Sequence, residues 1–183
     1  MFARTPRLLL RPGWHEDAPA LSRAIGEEAV VRNLSRAPWP YALGDAERFL
    51  ARENDARLPS LLIAARTAGS PRIIGGIGLT ADGRDGAVEL GYWIARPYWG
   101  LGFATEAGRA VVALARDSLR LRRISAWHYL DNPASGHVLA KLGFHPSGHI
   151  GQRHSIARGR ADACAHYVLE LDESCNGPMP LAA

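Results

Sequence analysis

Lysine is nearly missing from this sequence: Lys141 is the only one among 22 basic residues, and the rest are arginines. Against 18 acidic residues this leaves a formal charge of +4, spread along the chain rather than gathered into a run that could track a nucleic-acid backbone. Cysteine is almost as scarce. Cys164 and Cys175 have no CxxC partner, which excludes a disulfide framework and a thiolate zinc site. The seven histidines are scattered along the chain, and no metal site is expected. No apolar run approaches the ~20 residues of a membrane span. Met1 to Leu10 offers only three consecutive leucines between arginines, too few for a secretory leader, so a cytoplasmic protein without a membrane partner is expected. Two nucleotide-binding signatures are absent as well. Glycine does not follow Gly100-Leu101-Gly102 at the spacing of a dinucleotide fingerprint, where Thr105 stands, and no GxxxxGK run exists.

What is present fits one domain, over residues 7–172, with a loose tail at 173–183. Arg7 to Arg11 reads as a first strand, His15 to Ile25 and Leu43 to Ala56 as helices, and Pro38 to Tyr41 as a stiff loop between them. Strands are expected at Leu61 to Arg66, Ile73 to Leu79 and Ala87 to Ala95, with the turns Gly69-Ser70-Pro71 and Asp82-Gly83 favouring antiparallel neighbours. Phe103, Ala107, Ala110, Val111 and Leu114 mark one face of a helix. The strand Arg123 to Leu130 then follows a helical crossover and is a candidate for parallel pairing with Ala87 to Ala95. Asn132, Pro133 and Gly143 punctuate a helix over Asn132 to Leu142, and His149 to Ile156 and Ala163 to Leu171 close the domain as strands.

The stretch from Ile94 to Ala107 carries the first chemical signal. A strand ends, Gly100 and Gly102 leave room for close approach, and a helix begins whose first amides lack partners, an arrangement suited to phosphate. A glycine pair before a helix also serves tight turns, so this signal alone leaves both readings open.

Two segments together resemble the GNAT acetyltransferase superfamily. Glu89-Leu90-Gly91-Tyr92-Trp93-Ile94 with Tyr98-Trp99-Gly100-Leu101-Gly102-Phe103-Ala104-Thr105-Glu106-Ala107 is similar to its acetyl-CoA signature, with Trp99 where the family usually has Gln or Arg. Asp131-Asn132-Pro133-Ala134-Ser135-Gly136-His137-Val138-Leu139-Ala140-Lys141-Leu142-Gly143-Phe144 resembles its second conserved helix, with His137 where Arg is usual. The branch resembled is that of the bacterial ribosomal-protein N-terminal acetyltransferases.

The resemblance implies an α/β fold: a mixed, mostly antiparallel sheet with a splayed parallel strand pair and flanking helices. It implies acetyl-CoA as co-substrate, without a metal. Pantetheine would pair with the backbone of Trp93, Ile94, Ala95 and Arg96. The amides of Leu101, Gly102, Phe103, Ala104 and Thr105 would receive the pyrophosphate, Trp99 and Gly100 would also border the cofactor, and Asn132 would lie near the pantetheine and Ser135 near the sulfur. Direct attack by an amine needs a base and a proton donor for the departing thiolate. Glu89 is the candidate base, unless it is simply a strand-end carboxylate. Ser135 is the candidate donor, unless it is simply a first-turn helix serine, and Tyr129 is the alternative acid. Asn132 equally fits a plain N-cap. Trp39, Tyr41, Tyr92 and Trp93 could line the acceptor side or pack in the core, and Glu106 suits a helix-dipole or cap partner. The expected acceptor is a primary amine, a protein or peptide N-terminus ahead of a polyamine, amino acid or antibiotic. A non-catalytic acyl-CoA binding module is the rival from another class, and a monomer or homodimer is expected.

Overall fold

The apolar runs pair into an eight-stranded sheet in the computed structural model, which describes residues 1–52, 55, 57–67, 69–81 and 87–171. In chain order the elements are β1 (Ala3–Arg4), β2 (Leu8–Arg11), α1 (Ala18–Ile25), α2 (Glu28–Val31), α3 (Leu43–Leu50), β3 (Ser60–Ala65), β4 (Arg72–Ala81) and β5 (Val88–Ile94), followed by α4 (Phe103–Ala113), β6 (Arg123–Tyr129), α5 (Pro133–Lys141), β7 (His145–Ser155) and β8 (Arg160–Glu170). The strands lie side by side as β1-β2-β3-β4-β5-β6-β8-β7. Every neighbouring pair is antiparallel except β5 and β6, which the α4 crossover makes parallel.

Both faces of the sheet are covered, and the strand period of two decides which side chain goes where. Leu61 and Ile63 of β3 point into the larger core with Leu8, Leu10, Ile74, Leu90, Ile124, Leu139 and Phe144, against Ala107 and Val111 of α4. Leu62, between them, joins Leu21, Ala46 and Ile73 under α1 and α3. Each such fully buried aliphatic side chain contributes roughly 1.5–3 kcal/mol of transfer free energy.

Most expected elements are present with shifted ends. The sheet starts earlier than Arg7, because Ala3 and Arg4 pair with Leu10 and Leu9. The first helix opens with a 3-10 turn, His15–Asp17, and α2 is an element that its four residues were too short to announce. β7 begins at His145, earlier than its polar sequence suggests, because β8 supplies its ladder partners. The expected Asp82-Gly83 turn, the end of the 43–56 helix, Cys175 and the 173–183 tail lie outside the described residues.

An inward-facing ion pair fixes the turn between β2 and α1. Arg11 reaches both oxygens of Asp17 (2.6 and 2.7 Å), and the Trp14 amide donates to the same carboxylate at 2.8 Å. Burial alone would raise the Asp17 pKa, but the Arg11 hydrogen bond, the Trp14 amide and the Arg11 charge outweigh it and hold the carboxyl below the ordinary value of 3.8. A folded value below the unfolded one stabilises the fold at pH above the unfolded pKa, and this contribution fades as pH falls through the folded pKa. Asp17→Asn keeps the shape while removing the charge, and should cost about 2 kcal/mol at pH 7. Urea denaturation should show that gap at neutral pH and a shrinking gap below pH ~4.

Candidate active site

β5 and β6 share a single register pair, Glu89↔Ser125, where the Ser125 hydroxyl donates to the Val88 carbonyl at 3.3 Å. Beyond it the strands diverge. A cavity of about 450 Å³ opens in the gap, walled by β5, the loop before α4, the first turn of α4, β6, α5 and the Val30–Ser35 segment. Diverging strands leave backbone groups without ladder partners, and an extended chain can take them up as an added strand. That open edge stops at Ile94. The Trp99 indole donates to the Ile94 carbonyl at 2.6 Å, and the Ala95 amide is committed to Ile74 at 2.8 Å. Of the four backbone positions expected to face pantetheine, Trp93 and Ile94 line the cavity, whereas Ala95 does not and Arg96 turns away to Glu27 (3.4 Å).

Gly100 (φ 74°) and Gly102 (φ 79°) occupy the left-handed region, so the turn into α4 is one that a Cβ would strain. The first bond of the α4 turn runs from the Glu106 amide to the Gly102 carbonyl at 3.0 Å. The amides of Phe103, Ala104 and Thr105 therefore have no partner within the helix, and these residues line the cavity together with Trp99, Gly100 and Gly102. Leu101 is exposed and gives its carbonyl to Arg7 (3.0 Å). Glu106 does more than complement the helix dipole. It accepts from the Thr5 hydroxyl (2.6 Å), the Arg7 amide (3.0 Å) and Arg7 Nε (2.6 Å), tying the N-terminal segment to α4.

Glu89 lies opposite the core-facing Val88 and Leu90 on β5, and its Oε2 accepts from Arg153 Nη1 at 2.7 Å. The Arg153 guanidinium also lies over the Trp127 ring, 5.2 Å from its centroid. Ser135, in the first turn of α5, has its Oγ 2.7 Å from the Tyr92 hydroxyl, whose single proton can go either to that Oγ or to the Ser135 carbonyl (3.1 Å). Burial, only partly offset by the bond to Ser135, pushes the Tyr92 phenol up to about 12, so at neutral pH it keeps its proton. Glu89 and Ser135 thus flank one cavity from different elements.

The aromatics expected on the acceptor side fall in different places. Tyr92 is grouped with Ser135, not with Trp39 and Tyr41, neither of which lines the cavity. Trp39 is exposed, and Tyr41 packs against the buried clusters under α1 and α2, where burial pushes its phenol up to about 12. Trp93 lines the cavity and packs against those same clusters. The Tyr129 hydroxyl donates to the His154 carbonyl at 3.3 Å, which commits the alternative acid to a structural bond. Asn132 takes the N-cap position of α5 without a side-chain cap bond, and it lines the cavity.

Several cavity residues carried no signal in the sequence. Arg153, Trp127, His128 and Cys164 come from β6, β7 and β8, and Lys141 joins them from α5. Burial pushes the Cys164 thiol up to about 11 against the opposing charges of Arg153 and Arg158, so it stays protonated at neutral pH and is a poor nucleophile. Arg158, buried in the β7–β8 turn with 6% of its side chain exposed, binds both oxygens of Asp131 (2.9 Å each), Asp162 (2.9 Å) and the Arg32 carbonyl (2.6 Å). It fastens the Val30–Ser35 wall to the sheet. Among the described residues, no group of three or more His, Cys, Asp or Glu side chains could hold a metal ion, and no helix is long and apolar enough to cross a membrane.

Residues 7–145 match the model of the family described as "Acetyltransferase (GNAT) domain". The uncharacterized N-acetyltransferase YoaA of Bacillus subtilis (strain 168) is 31% identical over 152 residues, covering 81% of this chain and 85% of that protein. The uncharacterized N-acetyltransferase p20 of Bacillus licheniformis is 30% identical over 162 residues, 85% and 88% of the two chains. Among solved structures, a GNAT-family acetyltransferase from Bacillus anthracis superposes with a TM-score of 0.77 at 20% identity, covering 94% of this chain and 100% of that one. The microcin C7 self-immunity acetyltransferase MccE, in complex with acetyl-CoA and AMP, gives 0.75 at 19% identity over 91% and 93%. A Vibrio cholerae protein assigned as a ribosomal-protein-serine acetyltransferase gives 0.72 at 19% identity over 93% and 97%. At these identities the structures speak for the fold, while the family model and the sequence relatives speak for descent: the chain belongs to the GNAT acetyltransferase family and is an N-acetyltransferase.

Proposed function

We propose that this enzyme binds acetyl-CoA in the gap between β5 and β6 and transfers its acetyl group to a primary amine, foremost a protein or peptide N-terminus, by direct attack. The observation that carries this reading is the coincidence of the diverging strands with the partnerless amides of Phe103, Ala104 and Thr105 on one cavity. The residues fit the co-substrate: the open edge up to Ile94 suits an amide-bearing pantetheine arm, and the α4 amides suit its pyrophosphate. Acetyl-CoA supplies an activated thioester whose sulfur departs as a thiolate.

Glu89 takes the ammonium proton of the acceptor, directly or through a water, using the carboxylate oxygen that Arg153 leaves free. Arg153 orients that carboxylate. Ser135 presents its hydroxyl at the sulfur, and Tyr92 holds Ser135 in place as a protonated donor. Cys164 plays no covalent part, because a buried protonated thiol lacks the nucleophilicity an acyl-enzyme route would need. Val30, Asn33, Leu34 and Ser35 border the acceptor end, together with Trp127.

The ribosomal-protein branch is favoured by the Trp99-Gly100-Leu101-Gly102 form of the signature and by the likeness to the Vibrio cholerae protein. A small-molecule amine is the second reading, to which the likeness to the microcin-immunity enzyme points. Free-thiol release from acetyl-CoA against peptides with varied first residues, polyamines, amino acids and aminoacyl nucleotides tests both. Peptide-dependent release is expected; release only with small amines would remove the N-terminal reading. Acetyl-CoA at ~100 times its Kd should also add about 2.7 kcal/mol to stability, and an unchanged Tm would speak against the binding site.

A further inference from the structure

The signature position that usually carries Gln or Arg is Trp99, whose indole is spent on the Ile94 carbonyl, and Arg96 is turned toward Glu27. Neither loop residue brings a cation to the start of α4. Arg7 does so from the other end of the chain. Its guanidinium lies over the Phe103 ring, 4.4 Å from the centroid, with Nη1 on the Leu101 carbonyl (3.0 Å) and Nε on Glu106 (2.6 Å). A methyl group placed on Gly102 would stand 3.6 Å from Arg7 Nη2. The guanidinium is therefore held at the same turn as the partnerless amides, stacked and tethered before any ligand arrives.

We propose that Arg7 is the side-chain cation of the phosphate cradle: its Nη2 donates to a diphosphate oxygen of the acetyl donor, replacing the side chain that the Trp99 position lacks. This rests on the acetyl-CoA reading above. A purely structural role explains less. Glu106 already ties the N-terminal segment to α4 through the Thr5 hydroxyl and the Arg7 backbone amide, and neither bond needs a guanidinium. Stacking and two hydrogen bonds fix the guanidinium beside Gly102, which lines the cavity although Arg7 itself does not, and preorganised guanidinium donors suit phosphate oxygens.

Isothermal titration of wild type, Arg7→Met and Arg7→Lys with acetyl-CoA, acetyl-3′-dephospho-CoA and acetyl-pantetheine tests the assignment. Arg7→Met should weaken both diphosphate-bearing ligands by roughly tenfold and leave acetyl-pantetheine unchanged, since one charge-assisted hydrogen bond is lost. Arg7→Lys should recover part of the loss. Equal weakening of acetyl-pantetheine would make Arg7 a structural strap and overturn the proposal. An effect confined to acetyl-CoA would move the contact to the 3′-phosphate, and unchanged affinity for all three ligands would remove Arg7 from the site; either result overturns it. Failure of wild type to bind acetyl-CoA would instead bring down the underlying reading, and the proposal with it.

Discussion

Glu89→Gln should slow turnover by ~100- to 10,000-fold, the usual cost of removing a general base, while acetyl-CoA affinity stays within about twofold. The amide keeps the size of the carboxylate and still offers an oxygen to Arg153 Nη1, so the wall formed by Arg153 and Trp127 should remain standing. What is lost is the ability to accept the ammonium proton. Turnover against pH would separate this from a packing effect, because wild type should show a low-pH limb that the variant lacks. Equal turnover with an identical profile would leave Glu89 as an ion-pair partner of Arg153 and assign deprotonation to solvent.

Gly102→Glu should weaken acetyl-CoA binding by more than ~100-fold, since placing like charges together costs several kcal/mol. The new carboxylate would emerge beside Arg7 Nη2, on the side where the diphosphate is proposed to sit. Backbone strain must be separated from charge, because Gly102 has φ 79° and any side chain there costs about 1–2 kcal/mol. Gly102→Ala supplies the control: its methyl would meet only Arg7 Nη2, at an ordinary 3.6 Å. The alanine variant should lose stability yet bind acetyl-CoA within about threefold of wild type, and calorimetry on both variants would show it. Equal losses would assign the effect to strain rather than to an occupied anion site.

The sequence made the glycine-turn half of the cavity legible because its parts are local. A strand end, two glycines and a helix start are contiguous, and the mixed sheet with its parallel β5–β6 pair follows from the order of apolar runs and the crossover between them. The half around Glu89 is assembled from residues far apart in the chain, which no local pattern reports. Arg153 sits on a strand whose outward residues are polar almost throughout, so nothing marked it as the partner of Glu89 across 64 positions. The place of Tyr92 was readable from its strand. Strand alternation puts Tyr92 on the face of Leu90 and Ile94, and Glu89 and Trp93 on the other, so Tyr92 belonged with the α5 side from the start. Trp127 follows the same rule: it shares the Ser125 face of β6, and Ser125 stands level with Glu89. Trp39, expected at the acceptor side or in the core, is exposed instead.

The Arg158 clamp separates two histories within one cavity. Residues Arg32 to Ser35 are fastened to the β7–β8 turn by Arg158, by the Ser155 hydroxyl on the Leu34 carbonyl (2.8 Å) and by the Ile156 amide on the Ser35 carbonyl (3.1 Å). In two of these three bonds the donor is a side chain, but all three acceptors on the wall are main-chain carbonyls, which any side chain at those positions would leave intact. Leu34 and Ser35 can therefore be exchanged while their backbone stays in place, whereas the Asn33 side chain itself bonds the Ala29 carbonyl (2.9 Å) and Arg158 (3.5 Å); none of the three belongs to the turn that leads into α4. Substitutions at the Leu34 and Ser35 codons would reshape this wall of the cavity and leave the turn into α4 unaltered.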